Sequence, residues 1–187
     1  MTVKEIVALT CDFVGEKELA IKLRSSESQT YSQHEQQKID SFVRIFNLVN
    51  QEISSDYLPF VANEVFSSQK HSITLSSLKQ TLVSVLKVYG ANKNEIAYKI
   101  SNGTITSSNW IFEIDYLYTP KDLALDGAVE FENGLSGRVY AYGMASEYLL
   151  IDGISEDAEI WEKRFKESLF LLSRKKGEHV MPKRSWS

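Results

Sequence analysis

Disulfides are the first absence. The chain has one cysteine, Cys11, so no internal bridge can form, which fits a cytoplasmic or particle-borne protein better than a stapled secreted one. Metal-ligand spacing is missing as well. His34, His71 and His179 lie far from one another and from Cys11, so no metal and no cofactor is expected. Nor is there an excess of positive charge: 21 Lys and Arg face 25 Asp and Glu, for a net charge of −4. That argues against non-specific duplex binding by the whole surface, which needs a basic face to release counterions. No apolar run approaches the length of a membrane span, about 18 residues or more. The start, MTVKEIVALTCDFVGEKE, has acids where a secretory leader has a basic lead, so no leader is expected. No glycine pattern matches a phosphate-binding loop or a dinucleotide fingerprint. The nearest, Asn133-Gly134-Leu135-Ser136-Gly137, reads as a turn before a helix. Internal repeats and low-complexity tracts are absent too.

What is present suits a globular core with an insertion: 187 residues, 43% hydrophobic and 25% charged. Thr2-Val3-Lys4-Glu5 is a capping box opening a helix that Gly15 stops. A short helix follows from Glu16 to Leu23, then a polar loop from Arg24 to Thr30. Ser32 and Glu35 form a second capping box. Ile39, Phe42, Val43, Phe46, Val49, Ile53 and Tyr57 recur behind it at helical spacing, until Leu58-Pro59 ends the helix. Beyond Pro59 the composition turns to Val, Ile, Thr, Tyr and Phe, and strands are predicted at 61–66, 71–75, 81–88, 95–100 and 110–118. Gly90-Ala91-Asn92 and Asn102-Gly103 are turns, the second a hairpin turn. A single helical turn is expected at 76–79, and a connecting segment runs from Lys121 to Gly137. Helix returns from Arg138 to Ile151. Gly153 stops it and Ser155 caps the next, whose apolar stripe is Ile154, Ala158, Trp161, Phe165, Leu169 and Leu172.

The expected fold is therefore α+β. N-terminal helices (1–58) and a C-terminal helix pair (135–178) form a helical bundle, with a small antiparallel β region and a connecting segment (59–134) inserted, and an extended C-terminal tail (179–187) as an arm.

Chemistry has few candidates. Glu113 and Asp115 sit at i and i+2 on a predicted strand and project from one face. Paired carboxylates do acid and base work in glycosidases, but alternation with Trp110, Phe112, Ile114 and Tyr116 is better explained by a sheet with one wet side. Cys11 beside Asp12 lacks the electropositive setting of a nucleophile. No catalytic residue is assigned. The helix pair instead invites an interaction reading. Gly143, Ala145 and Ser146 thin one side of its first helix, while Tyr140, Tyr142 and Tyr148 thicken others. A subunit interface is expected on Tyr140, Tyr142, Gly143, Tyr148 and Trp161. In the tail, Lys183, Arg184 and Trp186 combine charge with a large aromatic, as partner-anchoring arms do.

The order of elements, the segment SSNWIFEIDYLYTPKDL and the pair YGMASEYLLIDGISEDAEIWEKRFKESL together carry a resemblance. The chain resembles the head-to-tail connector, or adaptor, proteins of tailed bacteriophages, in particular the tail tubular protein A type of short-tailed phages. In that family an apolar helix ending in a "YLL" element is followed by acids, an Ala, a Trp or Tyr, and a basic amphipathic helix. Here these are Tyr148, Leu149, Leu150, Glu156, Asp157, Ala158 and Trp161. The resemblance implies a structural virion protein at the head–tail junction, assembled in the host cytoplasm as a homo-oligomer, a dodecameric ring between the portal protein and the tail nozzle. By it, the helical part makes the ring, the β part reaches the next tail protein, and Pro182, Lys183, Arg184 and Trp186 dock on the portal. DNA passes through the channel without specific binding, and there is no membrane partner. Two alternatives from the residues remain: a carbohydrate-binding or glycan-cleaving tail module using Glu113 and Asp115, and a small host-factor binding protein.

Overall fold

The computed structural model describes residues 1–25, 30–131 and 134–176. The expected arm, with His179, Pro182, Lys183, Arg184 and Trp186, lies outside them, as do Glu132 and Asn133 and most of the expected polar loop after Arg24. The fold is α+β: five α-helices and four antiparallel strands among the described residues. The chain divides into a helical unit, Met1–Val49 with Leu123–Ser187, and a β unit, Asn50–Asp122.

In the helical unit, α1 (Val3–Phe13) begins at the expected capping box. The Thr2 N–H donates to Glu5 Oε2 at 2.8 Å, and the Glu5 N–H donates to Thr2 Oγ1 at 3.3 Å. Gly15, at φ +85°, turns the chain into α2 (Lys17–Arg24). The Ser32–Glu35 box closes reciprocally, at 2.8 and 3.3 Å, and opens α3 (Gln33–Glu52). A π turn at Ile53–Tyr57 ends that helix, with Leu58 N donating to Ile53 O at 2.8 Å just before Pro59. α4 (Gly137–Ile151) and α5 (Ser155–Lys176) are joined at Gly153, φ +79°, where Ile154 N reaches back to Leu149 O at 2.8 Å. The core gathers Ile6, Val7, Phe42, Phe46, Tyr140, Met144, Phe165 and Leu169, all buried.

The connecting segment, expected with the β region, joins the helical unit from Leu123 onward, because its backbone polar groups find their partners there. Val3 N donates to Gly127 O (3.0 Å), Lys4 N to Leu125 O (2.8 Å) and Val129 N to Met1 O (3.0 Å). The Asn47 side chain pairs with both backbone groups of Leu123, at 2.9 and 3.1 Å.

In the β unit the strands are β1 (Phe60–Thr74), β2 (Thr81–Tyr89), β3 (Lys99–Ser101) and β4 (Thr104–Thr119). β4 is central. β1 flanks one side, and β2 and β3 follow one another along the other. The two strands expected at 61–66 and 71–75 are one strand, the strand expected at 95–100 shrinks to Lys99–Ser101, and β4 starts at Thr104 instead of Trp110. The turn expected at 76–79 is a 3₁₀ turn at Leu75–Ser77. Asn102 and Gly103, at φ +49° and +70°, make the β3–β4 hairpin turn.

The sheet curls. Thr74 pairs with Thr104 at one end of β4, and Thr81 pairs with Thr119 at the other. The six residues between Thr74 and Thr81 reach about 25 Å at most, whereas a straight β4 would run about 50 Å. Register shifts between Val65 and Lys70, and between Lys70 and Ser72, mark the bend. Curling brings Ile73 and Ile105 from one end into a core with Val88, Ile114 and Tyr116 from the other.

Candidate interaction surfaces

The five residues expected at a subunit interface have other work. Tyr140 is fully buried and stacks on Phe46, ring centroids 5.4 Å apart. Gly143 is buried where α4 meets α3 and α5; a Cβ there would lie 2.9 Å from Val49 Cγ1 and 3.0 Å from the Phe165 ring. Neither can meet a second subunit, which corrects the expectation. Tyr142 and Trp161 are half-buried and stack with Phe13, at 5.6 and 4.7 Å, and Tyr148 stacks on Phe42 at 4.5 Å. The aromatics on several sides of α4 therefore serve three neighbouring helices of the same chain. α4 is a central helix, apolar nearly all round because it is covered nearly all round. The Ser146 hydroxyl adds a bond to Ala158 O at 3.0 Å, tying α4 to α5.

Charges on the helical unit are mostly structural. Glu16 pairs with Lys38 and accepts from the Tyr148 hydroxyl at 3.4 Å. Burial, then the nearby Asp152 and Glu16 carboxylates, raise the Tyr148 phenol above its usual range. Lys22, 2.5 Å from Glu35, joins the Ser32 backbone and hydroxyl in holding that carboxyl down at about 2. Arg24 grips Asp12 with two nitrogens. Cys11 is buried. Burial, then Glu16 and Asp12, push its thiol up to about 12, the opposite of what a nucleophile needs.

On the β unit, one amide nitrogen of Asn63 donates to Glu113 Oε1 at 2.5 Å and to Asp115 Oδ1 at 2.6 Å. Tyr89 donates to the other Asp115 oxygen at 3.1 Å. The pair expected to share a face does share it, with an amide already seated between the two groups. The sequence reading missed a buried carboxylate, Glu64. It accepts from the Tyr116 hydroxyl and from the Lys79 N–H at 2.6 Å, while Gln80 N donates to the Tyr116 oxygen at 3.3 Å. This network pins the β1–β2 linker to the sheet, and burial with the Glu64 bond pushes the Tyr116 phenol up to about 12. His71 lies tilted against Trp110, ring centroids 3.9 Å apart, and His34 is exposed in the first turn of α3. Among the described residues no group of three His, Cys, Asp or Glu side chains could hold a metal ion. No described helix is long and apolar enough to cross a membrane.

Exposed apolar side chains remain on both units. The α4–α5 hairpin leaves Leu150, Ile151, Ile154, Ile160, Phe170 and Leu171 between 46% and 66% exposed. The sheet leaves out Val61, Val65, Val83, Leu86 and Trp110. Where exposed apolar side chains adjoin one another, they mark places where another molecule can lie. No protein-family model matches the chain, and no curated protein matches it.

Proposed function

We propose that the chain is a structural virion protein, a head-to-tail adaptor that forms a ring between portal and tail and encloses the DNA channel. The observation that carries the reading is the exposed apolar surface of the α4–α5 hairpin, six large side chains that the described residues leave about half uncovered or more. It lies on the segment that resembles the phage adaptors. The division into a helical unit and a β unit with its own core supports the same reading. It gives the helical unit a place in the ring and the β unit, with its exposed valines and Trp110, a place against the next tail protein. The net charge of −4 suits a channel wall from which DNA phosphates slide rather than bind. In this reading the protein works without a cofactor, assembles in the host cytoplasm and ends in the virion. The interface moves from the buried Tyr140 and Gly143 to the exposed C-terminal end of α4 and the outer face of α5.

Portal rings mixed with the full chain and imaged by electron microscopy test it. Added ring density on one face of the portal is expected, and bare portals at saturating protein overturn the reading. The paired carboxylates favour no second reading, because Asn63 already occupies one oxygen of each.

A further inference from the structure

α5 has two faces. Ala158, Phe165 and Leu169 are buried against its own unit. Along a different side Asp157, Ile160, Arg164, Glu167, Leu171 and Arg174 are all exposed. Their spacing alternates between three and four residues, the repeat of a coiled-coil seam rather than of a random solvent face. Ile160 is 55% exposed and Leu171 61%.

The order of residue types along this seam is self-complementary when read backwards. Two copies of α5 laid antiparallel, with the twofold axis between Phe165 and Lys166, set Ile160 against the partner copy's Leu171. The same register sets Arg164 against Glu167 and Asp157 against Arg174. Every layer is then either apolar on apolar or opposite in charge, and each joins the two alternating seam positions, as antiparallel coiled coils require. Parallel alignment in register gives the reverse, with Arg164 facing Arg164 and Glu167 facing Glu167. Among the described residues neither Arg164 nor Glu167 forms an ion pair within the chain. Arg164 is steadied beside the seam by the Trp161 ring, 4.9 Å away, and Arg174 by the Phe170 ring, 5.3 Å away.

We propose that two copies of this chain pair through the outer face of α5, antiparallel about a twofold axis. A twofold contact closes on two copies and does not propagate into a ring, so the pair belongs to the free protein. It covers Ile160 and Leu171, which the adaptor reading assigns to assembled particles, and so holds free subunits back from assembly. That consequence rests on the adaptor reading; the pairing does not. The seam is about 25 Å long, which keeps the interface below standard size, and its charged layers make the pairing salt-dependent.

Sedimentation equilibrium of the full chain at rising concentration tests the pairing. A monomer–dimer equilibrium is expected, weakening as salt rises. R164E alone and E167R alone each turn two symmetry-related attractions into repulsions, so each weakens dimerisation at least about tenfold. Mixing the two variants restores a dimer, because every charged layer of the mixed pair is again opposite in sign. Circular dichroism of each variant shows that the helices persist. A wild-type chain that stays monomeric at about 100 times micromolar concentration overturns the proposal. So do charge reversals that dimerise as the wild type does, or a mixture that stays monomeric. Portal binding is read separately, so loss of the adaptor reading leaves this result standing, and the converse.

Discussion

Gly143 and Val49 bring α4 and α3 together with no side chain between them: a Cβ on Gly143 would stand 2.9 Å from Val49 Cγ1. Val49 is β-branched and stiff within its helix, and Phe165 closes the other side at 3.0 Å. Overpacking of this kind costs about 1–3 kcal/mol, against a gain of about 1 kcal/mol when alanine replaces glycine inside a helix. G143A is therefore expected to lower stability by about 1 kcal/mol in urea unfolding. V49A/G143A should lose less than the two single variants added together, since removing the valine methyls opens the space. A simple sum would mean that the close approach has no energetic role.

Glu35 gives the helical unit an acid-sensitive bond. Its carboxyl is held at about 2 chiefly by the Lys22 ammonium, then by the Ser32 backbone and hydroxyl. A depressed folded value means that the contribution is complete above the ordinary value of 4.5 and disappears as pH falls to about 2. E35Q keeps an oxygen for the Ser32 N–H but loses the charge facing Lys22. Its stability should lie below wild type at pH 7 and converge with it near pH 2. E35A, which also empties the cap, should remain below wild type at both. Denaturant midpoints at the two pH values decide this, and an unchanging gap for E35Q would remove the ion pair from the account.

The helices were legible because their ends are written in local chemistry. Two capping boxes, Gly15, Gly153 and Pro59 all stand where helices start, turn or stop. The strands were less so. Residues 67–70 and 104–109 fall outside the predicted strands, yet both stretches lie inside long strands whose pairing shifts register at the bend. The largest misreading was Tyr140. Aromatics on several sides of a helix mean several partners, and the sequence alone does not say whether those belong to the same chain. Here α1, α3 and α5 supply them. The seam on α5 went unread for a related reason, because the stronger buried stripe of the same helix hides a second repeat that is two-thirds charged.

Tyr116 and Glu64 form the polar centre of the β unit, and removing one hydroxyl should be felt there. Y116F takes a donor from buried Glu64 and the acceptor from Gln80 N–H. Glu64 then keeps, among the described residues, only the Lys79 N–H, and the lost partners of a buried polar group cost about 1–3 kcal/mol. Amide exchange at Lys79 and Gln80 should speed up in the variant, since these are the linker groups the network pins. Y89F is the control. Its hydroxyl meets a half-exposed carboxylate that Asn63 also serves, so its cost should stay below about 1 kcal/mol. Equal costs for the two variants would show that burial of Glu64 is not what makes Tyr116 matter.

Cys11 should behave as a buried hydrophobe with an alkaline signature. Its thiol is pushed up to about 12 in the folded chain by burial and by Glu16 and Asp12, from an ordinary value of 9.0. Because the folded value is the raised one, the unfolded chain loses this proton first. The resulting contribution to stability is complete below about 9 and declines as pH climbs towards 12. A disulfide reagent at pH 8 should therefore label Cys11 no faster than the chain opens, with a rate that rises with denaturant. The difference in stability between wild type and C11A, measured under reducing conditions, should shrink between pH 9 and pH 11, even though tyrosines and lysines titrate in both chains. Rapid labelling of the folded protein without denaturant would place the thiol at the surface and make it a reactive group after all.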